Sequence, residues 1–94
     1  MIHVRQLSDA DPMEFDVVVR EGKGETSHCV TISRTMLARL TAGKQSPERC
    51  LEAVFRFLLD REAKEAILRQ FDVAIVPGYF PEFERELPLY LSRL

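Results

Sequence analysis

Apolar and polar residues alternate in two successive stretches near the N-terminus. In residues 14–21, Phe15, Val17 and Val19 fall on one face of an extended chain, and mostly polar residues fall on the other. The alternation resumes in residues 25–32, after a Gly22-Lys23-Gly24 segment whose glycines can adopt the positive φ of a tight connection. The pattern predicts an antiparallel β-hairpin, which the weaker alternation of residues 2–7 could extend to three strands.

Helical spacing replaces the alternation after residue 32. Apolar residues at 36, 37 and 40 predict a first helix, which Gly43 would end in a left-handed turn. Ser46 and Pro47 form a strong start signal for a second helix that runs to about Arg61. For residues 62–76 we favour a helix, with a possible new turn capped by Asp72, although residues 71–76 also fit a short buried strand. Pro77 and Gly78 should end this segment.

The C-terminal part predicts short helical pieces. One turn should begin at Pro81 and extend to about Glu86, and a last turn should follow Pro88. Together these elements predict one domain over residues 1–94. It belongs to the α+β class, with an antiparallel β-hairpin, possibly three-stranded with the N-terminal segment, followed by three to five helices packed on one face.

The second predicted helix is apolar over an unusually wide arc. At 100° per residue, its apolar side chains cover about 240°, whereas a core-facing stripe typically covers a little over 100°. These side chains belong to the segment Cys50–Leu59. Two explanations fit the wide arc: the helix is central in the fold, or part of the arc, with Phe57 at its edge, meets another chain. The aromatic C-terminus adds a second apolar cluster that is either a lid on the core or a contact surface.

The composition limits the partners and the compartment. The 94 residues carry a net charge of −2, which argues against nucleic acid as the main partner, because phosphate binding needs a concentrated positive field. The sequence has no apolar run of signal-peptide or transmembrane length, so we expect no membrane partner, a cytoplasmic location and reduced thiols at Cys29 and Cys50.

Few residues could carry chemistry. His28 and Cys50 are the candidate pair for a small enzyme or a ligand-binding protein, provided that the fold brings them together. His28 and Cys29 point to opposite faces of a strand, so they cannot form a close pair of zinc ligands. Neither Gly22-Lys23-Gly24 nor Gly43-Lys44 has the strand, loop and helix order of a phosphate loop. We therefore predict no metal and no cofactor, and we regard an enzyme as the less favoured hypothesis.

One stretch resembles the ribbon-helix-helix family of DNA-binding regulators. The resemblance covers the strand His28–Ser33, the helix around Met36–Leu40 and the capped helix Ser46–Leu59. It implies a strand that pairs with a partner strand across a dimer and reads the major groove, and a second helix that packs the dimer core. Under this alternative hypothesis the phosphates would be contacted by basic residues of the middle segment, namely Arg34, Arg39, Lys44 and Arg49.

The favoured hypothesis is a non-enzymatic domain that works through protein contacts. The partner would be a second copy of the chain, giving a homodimer, or another protein. The wide apolar arc and the aromatic C-terminus are its basis, and it predicts contact residues that are large and mostly aromatic. These are Phe57, Tyr79, Phe80, Phe83 and Tyr90.

Overall fold

The N-terminal half of the chain forms most of a four-stranded sheet. In the computed structural model, which describes all 94 residues, the strands are β1 (Ile2–Ser8), β2 (Met13–Glu21), β3 (Gly24–Ile32) and β4 (Gln70–Asp72). They lie in the order β1-β2-β3-β4, with antiparallel pairing along the first three and a parallel pairing of β4 with β3. The predicted hairpin and its third strand are confirmed, and Gly22, with φ of +59°, makes the tight connection between β2 and β3.

Four helices follow the hairpin. They are α1 (Arg34–Thr41), α2 (Pro47–Leu59), α3 (Val76–Tyr79) and α4 (Phe83–Ser92). Both of the longer helices after the hairpin begin at a serine cap: the Ser33 hydroxyl accepts from the amide of Met36, and the Ser46 hydroxyl, which the sequence predicted, accepts from the amide of Arg49. The α+β class predicted from the sequence is therefore confirmed. None of the helices is long and apolar enough to cross a membrane.

The helix α2 is the centre of the core. Its wide apolar arc is buried on both sides, because one side meets the sheet and the other meets the C-terminal helices. Phe55 packs towards the sheet, with its ring centroid 5.3 Å from that of His28, whereas Phe57 packs towards α4, with its ring centroid 5.0 Å from that of Phe83. The structure therefore supports the first explanation for the wide arc, which is that the helix is central in the fold.

Residues 62–79 differ from the favoured helix. A single 3₁₀ turn at Lys64–Ala66 is followed by the strand β4, a second 3₁₀ turn at Val73–Ile75 and then α3. The chain is extended over residues 70–72 because this segment pairs with the edge of β3. The paired residues are 41 positions apart in the sequence. The predicted cap is present, since the Asp72 carboxylate accepts from the amide of Ala74 at 2.9 Å.

Two prolines do not end helices as predicted. Pro77 lies in the first turn of α3, where its missing N–H has no helical partner to lose. Pro88 lies inside α4, which continues to Ser92 as one helix instead of two separate turns. The core buries residues on both sides of this proline: Phe83 and Leu87 precede it and Leu91 follows it. This packing offsets the hydrogen bond that the proline cannot donate.

Candidate functional site

An apolar groove opens on the surface between the end of α2, the segment that leads to β4, and α3. Its volume is about 140 Å³, and nine of its ten lining residues are hydrophobic. The lining residues are Leu58, Glu62, Ala66, Ile67, Leu68, Phe71, Ile75, Val76, Tyr79 and Phe80. A cavity of about 150 Å³ lined by aliphatic and aromatic side chains is large enough to hold a benzene ring. The groove therefore has room for about one aromatic or branched aliphatic side chain.

The floor and the rim of the groove differ in exposure. Leu58, Ile67, Phe71 and Val76 belong to the core and form the floor. The rim is formed by large apolar side chains that remain in water: Leu68 is 48% exposed, Ile75 is 38% exposed and Tyr79 is 68% exposed. Single exposed apolar residues are common on protein surfaces, whereas three such residues around one concave opening are more typical of a binding site.

Hydrogen bonds to β3 fix the groove wall in place. The amide of Cys29 donates to the carbonyl of Arg69 at 2.8 Å, and the hydroxyl of Thr31 donates to the carboxylate of Asp72 at 2.6 Å. The side chain of His28 adds a third connection, because its Nδ1 lies 2.8 Å from the carbonyl oxygen of Leu68. The wall is therefore held by the sheet, while the side chains of its rim point into solvent.

His28 is a core residue. It is only 1% exposed. Since a carbonyl can only accept, Nδ1 carries the proton that is shared with Leu68, and Nε2 accepts from the hydroxyl of Thr26 at 2.8 Å. Burial lowers the pKa of His28 below its ordinary value of 6.5. Both ring nitrogens are thus occupied by structural partners and the ring is neutral.

Cys50 is not activated as a nucleophile. It is fully buried in α2, and burial raises the pKa of its thiol to about 12, so that almost no thiolate exists at neutral pH. His28 makes no hydrogen bond to this thiol, since its two nitrogens contact Thr26 and Leu68. The enzyme or ligand-binding hypothesis relied on an accessible pair of His28 and Cys50, and the two residues do not form one.

The predicted contact residues divide into two groups. Phe57 and Phe83 are completely buried and Tyr90 is nearly so, because they pack on one another inside the chain. Tyr79 and Phe80 both line the groove, with Tyr79 the more exposed of the two. Only this second pair is placed where a partner could reach it. The neighbouring exposed residues Leu68 and Ile75 were missed, because the sequence predicted a helix and not an open wall over residues 62–76.

Arg61 fixes the position of α4 next to the groove. Its guanidinium lies 3.7 Å from the centroid of the Phe57 ring and donates to Glu82 at 2.9 Å and to Glu86 at 2.7 Å. Burial acts against the charged form, but the hydrogen bonds to Glu82, Tyr90 and Glu86 outweigh it and raise the pKa of Arg61. Glu82, at the N-cap of α4, and Glu86, within it, are therefore engaged in an ion-pair network.

Glu62 is the one charged residue of the groove lining. Its carboxylate forms no ion pair and accepts no hydrogen bond within the chain, although it is half-buried. Burial raises the pKa of Glu62 above its ordinary value, and no basic side chain offsets that effect. The groove is thus apolar with a single unpaired carboxylate.

The region that resembles ribbon-helix-helix proteins is arranged differently from that family. The strand β3 is paired on both edges, with β2 on one side and β4 on the other, so it has no free edge for a partner strand. Of the four predicted phosphate contacts, Arg34 forms a surface ion pair with Asp9 and Arg39 forms one with Glu84.

A second cavity, of about 300 Å³, lies between the N-terminus and the ends of α2 and α4, and it is lined by both acidic and basic residues. No group of three or more His, Cys, Asp or Glu side chains is placed to hold a metal ion.

Comparison with models of known protein families, with curated proteins and with solved structures gave no match.

Proposed function

We propose that this protein is a non-enzymatic contact module that receives an apolar side chain of another protein in the groove beside α3. The observation that carries the proposal is the cluster of exposed Leu68, Ile75 and Tyr79 around one opening of about 140 Å³. Large apolar side chains that stay exposed around a concave site are typical of surfaces that bind a partner. The other large exposed apolar residues are not at this opening: Met1 precedes β1, Leu7 lies in β1 and Leu89 lies in α4.

The size of the patch favours a short segment of another protein over a second copy of the chain. A whole aromatic side chain offers only about 150–250 Å² of surface, so three partly exposed side chains offer on the order of 300 Å². A stable interface between two folded proteins typically buries about 800 Å² on each partner. Phe57 and Phe83 would have enlarged the patch, but they are covered within the chain. A segment that inserts one anchor side chain needs a much smaller surface.

Tyr79 is the best position for a test, since it is the most exposed residue of the rim. We would replace Tyr79 by the photo-reactive amino acid p-benzoylphenylalanine, express the chain in cells of its source organism and irradiate them. The expected result is a discrete adduct with one protein. A matched control carries the same amino acid at Lys44, which is exposed in the loop between α1 and α2, at the opposite end of α2 from the groove.

The contribution of the groove itself is tested in the same experiment. Ile75→Glu places a charge on the rim without disturbing the buried floor, so the Tyr79 adduct should disappear. The proposal would be overturned if the adducts from positions 79 and 44 were the same, or if the adduct persisted in the Ile75→Glu variant.

A further inference from the structure

The lone carboxylate of the groove points to the charge of its partner. We propose that the segment received by the groove carries a Lys or Arg next to its apolar anchor, and that the cation pairs with Glu62. This inference rests on the proposed function and adds the chemistry that selects the partner.

Glu62 differs in its surroundings from the carboxylates that lie near it at this end of α2. Glu65 pairs with Lys64 at 2.9 Å, and Glu82 and Glu86 both pair with Arg61. Arg85 also lies 3.5 Å from Glu86, so each of these glutamates has at least one basic partner, and the cluster is joined to the groove through Arg61, the residue before Glu62. The chain therefore compensates the carboxylates around Glu62 and leaves Glu62 itself without a cation.

An apolar side chain bound in the groove makes the unpaired Glu62 carboxylate more unfavourable. When a side chain fills the groove, it removes more water from a carboxylate that is already half-buried. A carboxylate that loses water without gaining a partner opposes binding, whereas a cation at hydrogen-bond distance offsets the loss. A neutral segment would therefore bind less well than a cationic one, and an acidic segment would be repelled by Glu62.

The geometry also limits how far the cation lies from the anchor. Glu62 lines the same opening as the rim residues Leu68 and Tyr79, so the cation and the anchor must belong to neighbouring positions of the partner. A segment with a large apolar residue and a basic residue close to it in space meets this condition, for example at helical spacing of three or four residues.

Three small probes of nearly the same shape separate the apolar and the charged contributions. We would titrate 4-phenylbutylamine, 4-phenylbutanol and 4-phenylbutyrate into the labelled protein at slightly alkaline pH and follow the amide NMR shifts of residues 62–80. The phenyl ring probes the groove, and the terminal group probes Glu62. For an ion pair that remains partly in water, we expect the amine to bind about two- to fivefold more tightly than the alcohol, with the acid weakest.

The Glu62→Gln variant assigns the preference to one side chain. In that variant the amine and the alcohol should bind equally, while the affinity for the alcohol should not fall. Glu48→Gln, in the first turn of α2 and outside the groove lining, is the matched control and should keep the preference for the amine.

The outcomes distinguish this inference from the function on which it rests. Equal binding of all three probes to the native protein, with shifts at the groove, would overturn the selection by charge and leave the groove as an apolar receptor. A preference for the amine that persists in Glu62→Gln would also overturn it. If no probe shifts the groove residues at all, the proposed function fails and this inference fails with it.

Discussion

Replacement of Phe57 by alanine should strongly destabilise the fold. The Phe57 side chain is 0% exposed, and its ring contacts Phe83, Tyr90 and Phe80 in edge-to-face arrangements. Removal of a buried phenyl ring from a core typically costs about 3–5 kcal/mol. The guanidinium of Arg61, 3.7 Å from the ring centroid, loses its cation–π partner as well, which adds about 0.5–1 kcal/mol. We therefore expect a loss near the upper end of that range.

Urea unfolding followed by far-ultraviolet circular dichroism measures the effect. The free energy of unfolding should fall by about 4–5 kcal/mol in Phe57→Ala, and by about 1–2 kcal/mol in Phe57→Leu, which keeps most of the volume and still reports if the alanine variant does not fold. Tyr79→Ala is the control, because Tyr79 is largely in water, and it should change stability by less than about 0.5 kcal/mol.

A second comparison separates a core role from an interface role. If Phe57 contacted another copy of the chain, unfolding midpoints would depend on protein concentration, because association stabilises the folded state by mass action. We expect the same midpoint at protein concentrations that differ tenfold. A loss below about 1 kcal/mol in Phe57→Ala, or a midpoint that rises with concentration, would refute the assignment of Phe57 to the core.

Three further predictions follow from buried groups. Burial lowers the pKa of His28 in the folded state, so on acidification the unfolded state binds a proton at a higher pH than the folded state does. The free energy of unfolding should therefore fall as the pH drops below 6.5. In His28→Gln, the free energy of unfolding should depend less on pH in that window. Because burial raises the pKa of the Cys50 thiol to about 12, a thiol reagent monitored by mass spectrometry should modify only Cys29 in the folded protein and both cysteines in denaturant. Arg61→Ala removes the donor to Glu82, the donor to the Tyr90 phenol and the shorter of the two ion pairs of Glu86, so urea unfolding should show a loss of about 1–3 kcal/mol, and a loss below about 0.5 kcal/mol would contradict that role.

The parts of the fold that depend on local patterns could be predicted from the sequence. The alternation that buries Phe15, Val17 and Val19 on one face lies within a single strand, and the Ser46 cap acts on an amide three residues away. Signals of this kind are visible in one stretch of sequence, because the residues that cause the structure are neighbours in the chain.

The parts that depend on distant contacts could not be predicted in the same way. The strand β4 has only three residues, too few to show a period, and it exists because β3 has an edge to offer. The hydrogen bond of His28 Nδ1 depends on the carbonyl of Leu68, which lies 40 residues away. The apolar arc of α2 showed that the helix needed cover on both sides, but not that the cover would come from its own chain.

The candidate site, like the fold, could be predicted only in part from the sequence. Tyr79 and Phe80 were selected from the sequence as apolar residues near the C-terminus, and both line the groove. The opening itself is formed by three segments that meet only in the folded chain, so its volume, its exposed rim and the unpaired state of Glu62 have no signature in the sequence. The aromatic composition indicated a contact surface, and the fold decided which of the aromatic residues remained at the surface.

The central claim is that the chain covers the apolar arc of α2 by itself and leaves only the groove for a foreign segment. Sedimentation equilibrium of the pure protein at high micromolar concentration tests this most directly. The account predicts one species with the 10.8 kDa mass of a single chain. A species of twice that mass that persists on dilution to low micromolar concentration would contradict it, because the exposed patch is too small to hold two copies together.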